Sequence, residues 1–447
     1  LTESTSHRSL VDRLSAWLEH RPWLIWLLLF APFLPVLVSH QFLAHHFVTT
    51  TSVDETSYHY PTIVEFARQF PHYDFSDYLS ATAPLYHVAF SWLYLLGFDL
   101  QGLRLANFAI SYAGVLLVFH FLRRHVGTNT FQASIYALLL AISPYYYGLS
   151  FVLMTDNAAL VLAIACFYSL ANFRQSNAKR DFLMSVFFAT AAMLTRQIYV
   201  VLLLPCMVYV LRGPGSHRYK LYQLLILMAA AIPLSLLITL WGGPTPPQFQ
   251  YLNANTRTLD FTGAAILFSL IGLYGLLLGH EFLVERTREW RKHLAWAVAT
   301  FIAVWLILAF FPITPFPSLR DGYLWRISNT LPLINRTGVP YLLLLPLGLV
   351  FFTRRWGQVK WDSLAVLGVI GVTIGSLRSS AYFQKYYDPF ALWTVFQLVA
   401  MKPWQRLLQY LLPAVLLALF IGYHFARPLY TPPLPPTVNQ PAPRGNR

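Results

Sequence analysis

Apolar runs of about twenty residues recur along this chain from end to end, each long enough to cross a bilayer. The first is Trp23 to Phe42. A soluble protein carries roughly 25% charged residues; this chain of 447 residues carries 11%, against 56% hydrophobic. No polar stretch between the runs is long enough to fold as a soluble catalytic domain. The expected fold class is therefore an all-α polytopic membrane protein. Any active site must be assembled from short loops and helix ends.

The first run lacks a small-residue cleavage site and follows a charged head with Arg8, Arg13 and Arg21. It is expected as a retained first span rather than a signal peptide. Cys166 and Cys206 both fall inside apolar runs, which argues against a disulfide framework. The net charge of +14 would suit nucleic acid only if it formed a groove. Instead the basic residues stand in small clusters between runs, the pattern of membrane topology. No nucleic-acid partner is expected.

Those clusters are the N-terminal head, Arg123–Arg124, Arg174–Arg180, Arg212–Lys220, Arg286–Lys292, Arg354–Lys360 and Lys402–Arg406, which hold most of the 32 Lys and Arg. All should be cytoplasmic, so each neighbouring pair must enclose an even number of spans. The first interval holds three runs, at 23–42, 83–98 and 103–122. The 83–98 run is short, starts at Pro84 and carries His87, so it is expected to lie along or dip into the membrane. About thirteen spans remain, near 23–43, 103–122, 131–149, 157–172, 182–195, 198–211, 221–241, 262–279, 294–311, 338–353, 362–377, 389–401 and 407–425. The expected organisation is a cytoplasmic head (1–22), a single transmembrane domain (23–425) and a Pro-rich extracytoplasmic tail (426–447). The chemistry should then lie in the outward segments, of which 44–102 is the first and longest.

Within it, Thr49 to Pro84 is polar, and its opening acids Asp54 and Glu55 lie close behind the first span. Pro61 belongs in the first turn of a helix, so a helix should start near Ser57 to Tyr60 with both acids just ahead of it. His59, Ile63, Phe66 and Phe70 then make one apolar stripe, as in a helix lying flat on the membrane. Further along, Asp156 opens a span and would serve as an N-cap or as partner to a cation. Arg196 stands at a corner with almost no loop and must snorkel or find a partner. Arg378, Lys385 and Asp388 share a short Tyr-rich outer loop, and Arg320, Asp321, Arg326 and Arg336 crowd another. Asn335-Arg336-Thr337 matches a glycosylation sequon on its own. His45–His46 is an adjacent pair better suited to the water interface than to a metal. The chain has no phosphate-cradling Gly-rich loop, no HExxH, no Cys/His metal spacing and no GxSxG elbow.

An acidic pair after span one, an amphipathic helix and an apolar juxtamembrane helix together resemble the GT-C glycosyltransferases, polytopic enzymes that take a sugar from a polyprenyl-phosphate carrier. Within that superfamily the chain most resembles the eukaryotic dolichyl-phosphate-glucose-dependent α-1,2-glucosyltransferases. Asp54-Glu55 with His59, Thr82-Ala83-Pro84-Leu85-Tyr86, Gly102-Leu103-Arg104-Leu105-Ala106-Asn107, Thr155-Asp156 and Arg196-Gln197 carry the likeness. It covers roughly the first 210 residues. The chain departs from the pattern in the Asp-Glu-to-His spacing, in Ala83 where a proline is expected, and in lacking an Asn after the Arg-Gln element. The sugar and the acceptor stay open.

The resemblance implies a lumenal or extracytoplasmic site. Asp54, Glu55 and Asp156 would be the catalytic acids, with Asp54 the base and Glu55 or Asp156 its helper. Arg196, Arg378 and Lys385 would meet the lipid phosphate, while His59, Tyr86, Arg104 and Gln197 would bind substrate. In-line displacement would invert the anomeric carbon. No cofactor is obligatory, although a divalent cation bridging Asp54, Glu55 and phosphate is compatible with the spacing. The implied partners are a polyprenyl-phosphate sugar donor, membrane lipids and a glycan, lipid or protein acceptor. The competing alternatives are a transporter or flippase of lipid-linked or anionic solutes, which predicts charges at mid-bilayer, and an inactive partner subunit.

Overall fold

The computed structural model describes residues 10–39, 53–253, 260–279, 290–313, 322–358, 363–376, 384–400 and 407–430. The described chain is helical almost throughout. Its only strands form a two-residue hairpin, Leu333–Ile334 antiparallel to Thr337–Gly338. The described part of each expected span is largely helical. Four of the described helices are long and apolar enough to cross a membrane: Leu100–Val126, Thr155–Ser176, His217–Trp241 and Arg291–Phe310. Shorter apolar helices accompany them at Thr130–Ile142, Gln197–Arg212, Thr262–Leu278, Leu364–Ser376 and Leu408–His424.

Prolines explain where the expected spans are broken. The first is interrupted by a 3-10 turn at Ala31–Phe33, with Pro32 in it and Pro35 just beyond, and ahead of it the helices Arg13–Glu19 and Pro22–Leu37 are bent by 98°. The expected 131–149 span ends at Ile142, because Ser143 precedes Pro144 and is extended (ψ 142°); a residue before proline disfavours the helical region. A separate short helix, Pro144–Leu149, follows. The 83–98 run forms one helix, Leu85–Leu95, of 11 residues. At 1.5 Å per residue that is about 16 Å, half a bilayer core.

Three helices fix the polarity of the bundle. Leu100–Phe121 carries Arg104 near its start and leads to Arg123. Thr155–Ser176 runs from Asp156 to Arg174, and Lys179–Thr195 from Arg180 back to Arg196. Each separates its two named residues by about 24–29 Å. The basic ends meet one another: Arg123 Nη2 lies 2.8 Å from Glu19 Oε1, Thr130 Oγ1 donates to the same oxygen at 2.8 Å, and Arg174 donates to the Tyr209 hydroxyl at 3.0 Å. Asp156, Arg196 and Arg104 stand at the opposite end. In the second half, Thr262–Leu278 and Val339–Gln358 cross at Gly272 and Gly348, where a Cβ would strike the Leu344 and Phe268 carbonyls. Such close contact is how helices pack where lipid removes the hydrophobic drive.

Candidate active site

The first polar segment departs from expectation at its start. The helical turn begins ahead of Ser57, so Asp54 and Glu55 lie inside it rather than before it. Pro61 has no N–H to give the Ser57 carbonyl, and the turn over Glu55–His59 is the wide i→i+5 kind, closed by Tyr60 N–H on the Glu55 carbonyl. Wide turns of this sort are frequent at functional sites. The regular helix Tyr60–Gln69 buries Ile63 and Phe66 as the stripe predicts. Phe70 does not join them: it precedes Pro71, leaves the helix (ψ 135°) and is 54% exposed.

Glu55 is wholly buried. Arg104 donates to it from Nε at 3.0 Å and from Nη2 at 2.5 Å, a two-pronged grip, and the Leu153 N–H adds a third bond at 2.8 Å. The Leu153 turn is held in its own right. Asn107, one helical turn beyond Arg104, donates to the carbonyls of Leu149, Ser150 and Val152 at 3.0, 3.2 and 2.8 Å. Its Oδ1 accepts from the Tyr86 hydroxyl at 3.1 Å. Tyr86, Arg104 and Glu55 therefore form a buried knot that fixes the turn bearing Asp54. Both oxygens of Glu55 are thus engaged by protein donors. Among the described residues no group of three or more His, Cys, Asp or Glu could hold a metal ion.

Asp54 is different. Its side chain is 36% exposed, and Lys385 Nζ stands 3.4 Å from Oδ2 across 331 residues of chain. Asp156 lies in the first turn of its helix and does not cap it; Met154 holds the cap position. Its carboxylate meets Arg196 Nη1 at 2.5 Å, with side chains 7% and 14% exposed. The guanidinium also lies over the Tyr386 ring, 4.3 Å from its centroid. Burial pulls the Lys385 ammonium towards neutrality, but Tyr386, Asp156 and Asp54 more than offset this and hold it above its ordinary value. Asp54, Asp156, Arg196 and Lys385 thus converge from four distant segments at one end of the bundle.

His59 is 6% exposed and shares a proton with His87 across a 2.9 Å Nδ1···Nε2 contact, the rings nearly coplanar at 11°. Burial, then the Lys385 and Arg196 cations, pull the His59 pKa down to about 3, so the imidazole is neutral. Gln197 supports the site through backbone: Nε2 donates to the Ala81 carbonyl at 3.1 Å and to that of Pro244 at 3.0 Å. Arg378 and His45–His46 lie outside the described residues, as does the tail beyond Tyr430. Arg326 and Arg336 are described, but Arg320 and Asp321 are not.

Sequence inspection names His87 and Asp388 without finding their partners, and it does not single out Tyr386. Beneath Lys385, Asp388 Oδ2 accepts from Tyr323 at 2.6 Å, Tyr274 at 2.8 Å and Gln384 at 3.1 Å. Gln384 Oε1 in turn accepts the Leu324 N–H at 2.9 Å. A wholly buried aspartate following a lysine by three residues is the one signal that pointed there.

No curated protein and no solved structure matches the chain. Residues 83–241 match the family described as dolichyl-phosphate-mannose-protein mannosyltransferase, a stretch that carries Tyr86, Arg104, Asp156, Arg196 and Gln197. The match does not carry the narrower glucosyltransferase likeness. The likeness to that family is confined to this stretch of the chain.

Proposed function

We propose that the protein transfers a sugar from a polyprenyl-phosphate carrier to a hydroxyl of a glycan, lipid or protein acceptor, on the extracytoplasmic or lumenal side and with inversion. One observation carries this: two carboxylates and two cations from segments as far apart as Asp54 and Lys385 meet at the end of the bundle opposite the basic clusters. Of the three acids, Asp54 suits the base. Glu55 is saturated by Arg104 and Leu153, and Asp156 is held tightly by Arg196, whereas Asp54 has the looser partner and the greater exposure.

In the reaction, Asp54 takes the proton of the acceptor hydroxyl as its oxygen bonds to the anomeric carbon. The bond from that carbon to the phosphate oxygen breaks, and its electron pair leaves on the polyprenyl phosphate. Arg196 and Lys385 stabilise the added charge. Inversion follows from attack opposite the leaving group. The buried charged side chains among the described residues, Glu55, Arg104, Asp156, Asp388 and Arg355, stand near helix ends rather than midway. That favours a transferase over a transporter, which needs charge at mid-bilayer. The test is thin-layer analysis of purified protein incubated with radiolabelled polyprenyl-phosphate mannose, glucose or arabinose and membrane-extracted acceptors. Transfer from one of them supports the proposal; no transfer from any refutes it.

A further inference from the structure

The two ion pairs of the site differ in kind. Arg196 and Asp156 are 2.5 Å apart and nearly buried, and Tyr386 lies across the guanidinium. Lys385 and Asp54 are 3.4 Å apart, longer than the 2.7–2.9 Å of a well-made charge-assisted bond, with Asp54 36% exposed. The backbone under Lys385 is nevertheless fixed. Gln384 bonds to Leu324 N–H and Asp388, and Asp388 is held by Tyr274 and Tyr323. The Lys385 ammonium, also 5.6 Å from the Tyr386 ring centroid, thus stands on an anchored stem, and one of its partners is the carboxylate best placed to act as base.

We propose that Lys385 is an exchangeable cation, paired with Asp54 until a lipid-linked donor binds and then handed to the donor's phosphate. This rests on the function proposed above. A carboxylate oxygen engaged by an ammonium is less open to the acceptor hydroxyl than a free one, so the arriving phosphate itself frees the base. Arg196 stays with Asp156 and supplies a fixed charge. The base is then released only when a donor is in place, and the acceptor hydroxyl is activated second.

The exchange is tested by binding alone, with undecaprenyl phosphate in phosphatidylcholine nanodiscs as probe and undecaprenol as the uncharged control. Asp54→Asn removes the competitor for Lys385, so the phosphate should bind about two- to fivefold tighter, the range of a partly exposed ion pair. In Lys385→Met that gain should vanish when Asp54→Asn is added, and in Lys385→Arg it should persist. An unchanged affinity in Asp54→Asn, or a gain that survives in the Asp54→Asn/Lys385→Met double variant, overturns the exchange. Failure of wild-type protein to prefer the phosphate over undecaprenol instead overturns the functional proposal beneath it.

Discussion

Arg104 grips both carboxylate oxygens of Glu55, 49 residues away in the chain, at 3.0 and 2.5 Å, and both side chains are almost wholly buried. The pair is the hinge of the site's construction: it spends one of the two neighbouring acids on structure and leaves Asp54 for chemistry.

Breaking that pair should unfold the first loop rather than merely slow the enzyme. Removing one partner of a buried ion pair costs about 3–5 kcal/mol. Arg104→Met and Glu55→Gln should each lower the melting temperature in detergent and raise hydrogen exchange over residues 53–69. The double variant should lose less than the sum of the two. Single variants with wild-type melting would refute a structural role.

Arg196 should be sensitive to shape as well as charge. Its guanidinium meets Asp156 and lies over Tyr386, and a lysine lacks the planar fork that makes both contacts here. Arg196→Gln should lower kcat/KM on the order of 10²-fold, and Arg196→Lys should recover only part. Equal rates in all three proteins would leave Arg196 without a part in transfer.

Adjacent helical residues point about 100° apart, which is why the acid pair was legible in the sequence but its division of labour was not. Asp54 and Glu55 stood out as acids beside a span, yet only tertiary structure shows Glu55 turned inward to Arg104 and Asp54 outward to Lys385. The helical class and the short helix in the 83–98 run followed from apolar length and proline placement. The wide turn over Glu55–His59, the breaks at Ser143 and within the first span, and the Asp388 anchor did not. Each depends on a local backbone choice or on partners more than 60 residues distant, as Asp388 has in Tyr323 and Tyr274. Arg196 was singled out for lacking a loop, and its partner Asp156 was then still open between cap and ion pair.

Acid should loosen the His59–His87 contact. The His59 pKa is pulled from 6.5 down to about 3, so between these values the unfolded chain binds the proton that the folded one refuses. The contribution is therefore complete above about pH 6.5 and is lost as pH falls towards 3. Hydrogen exchange over 55–69 should rise in that window, and His59→Gln should flatten the dependence. An unaltered profile in the variant would contradict it.

The proposed sidedness is tested at the two ends of the bundle. Cysteines placed at the exposed Asp77, near the site, and at Arg180, at the basic end, should react with an impermeant thiol reagent from opposite faces, Asp77→Cys from outside. The native Cys166 and Cys206 are buried and should not interfere. Labelling of both from one face would contradict the orientation.

The most direct test is the rate of sugar transfer by Asp54→Asn in reconstituted protein, measured beside its retained binding of the polyprenyl-phosphate carrier. Asparagine keeps the shape of the side chain but cannot take a proton, so transfer should fall by about 10²–10⁴-fold, as for loss of a general base, while the carrier still binds. Transfer at the wild-type rate by Asp54→Asn would contradict the account.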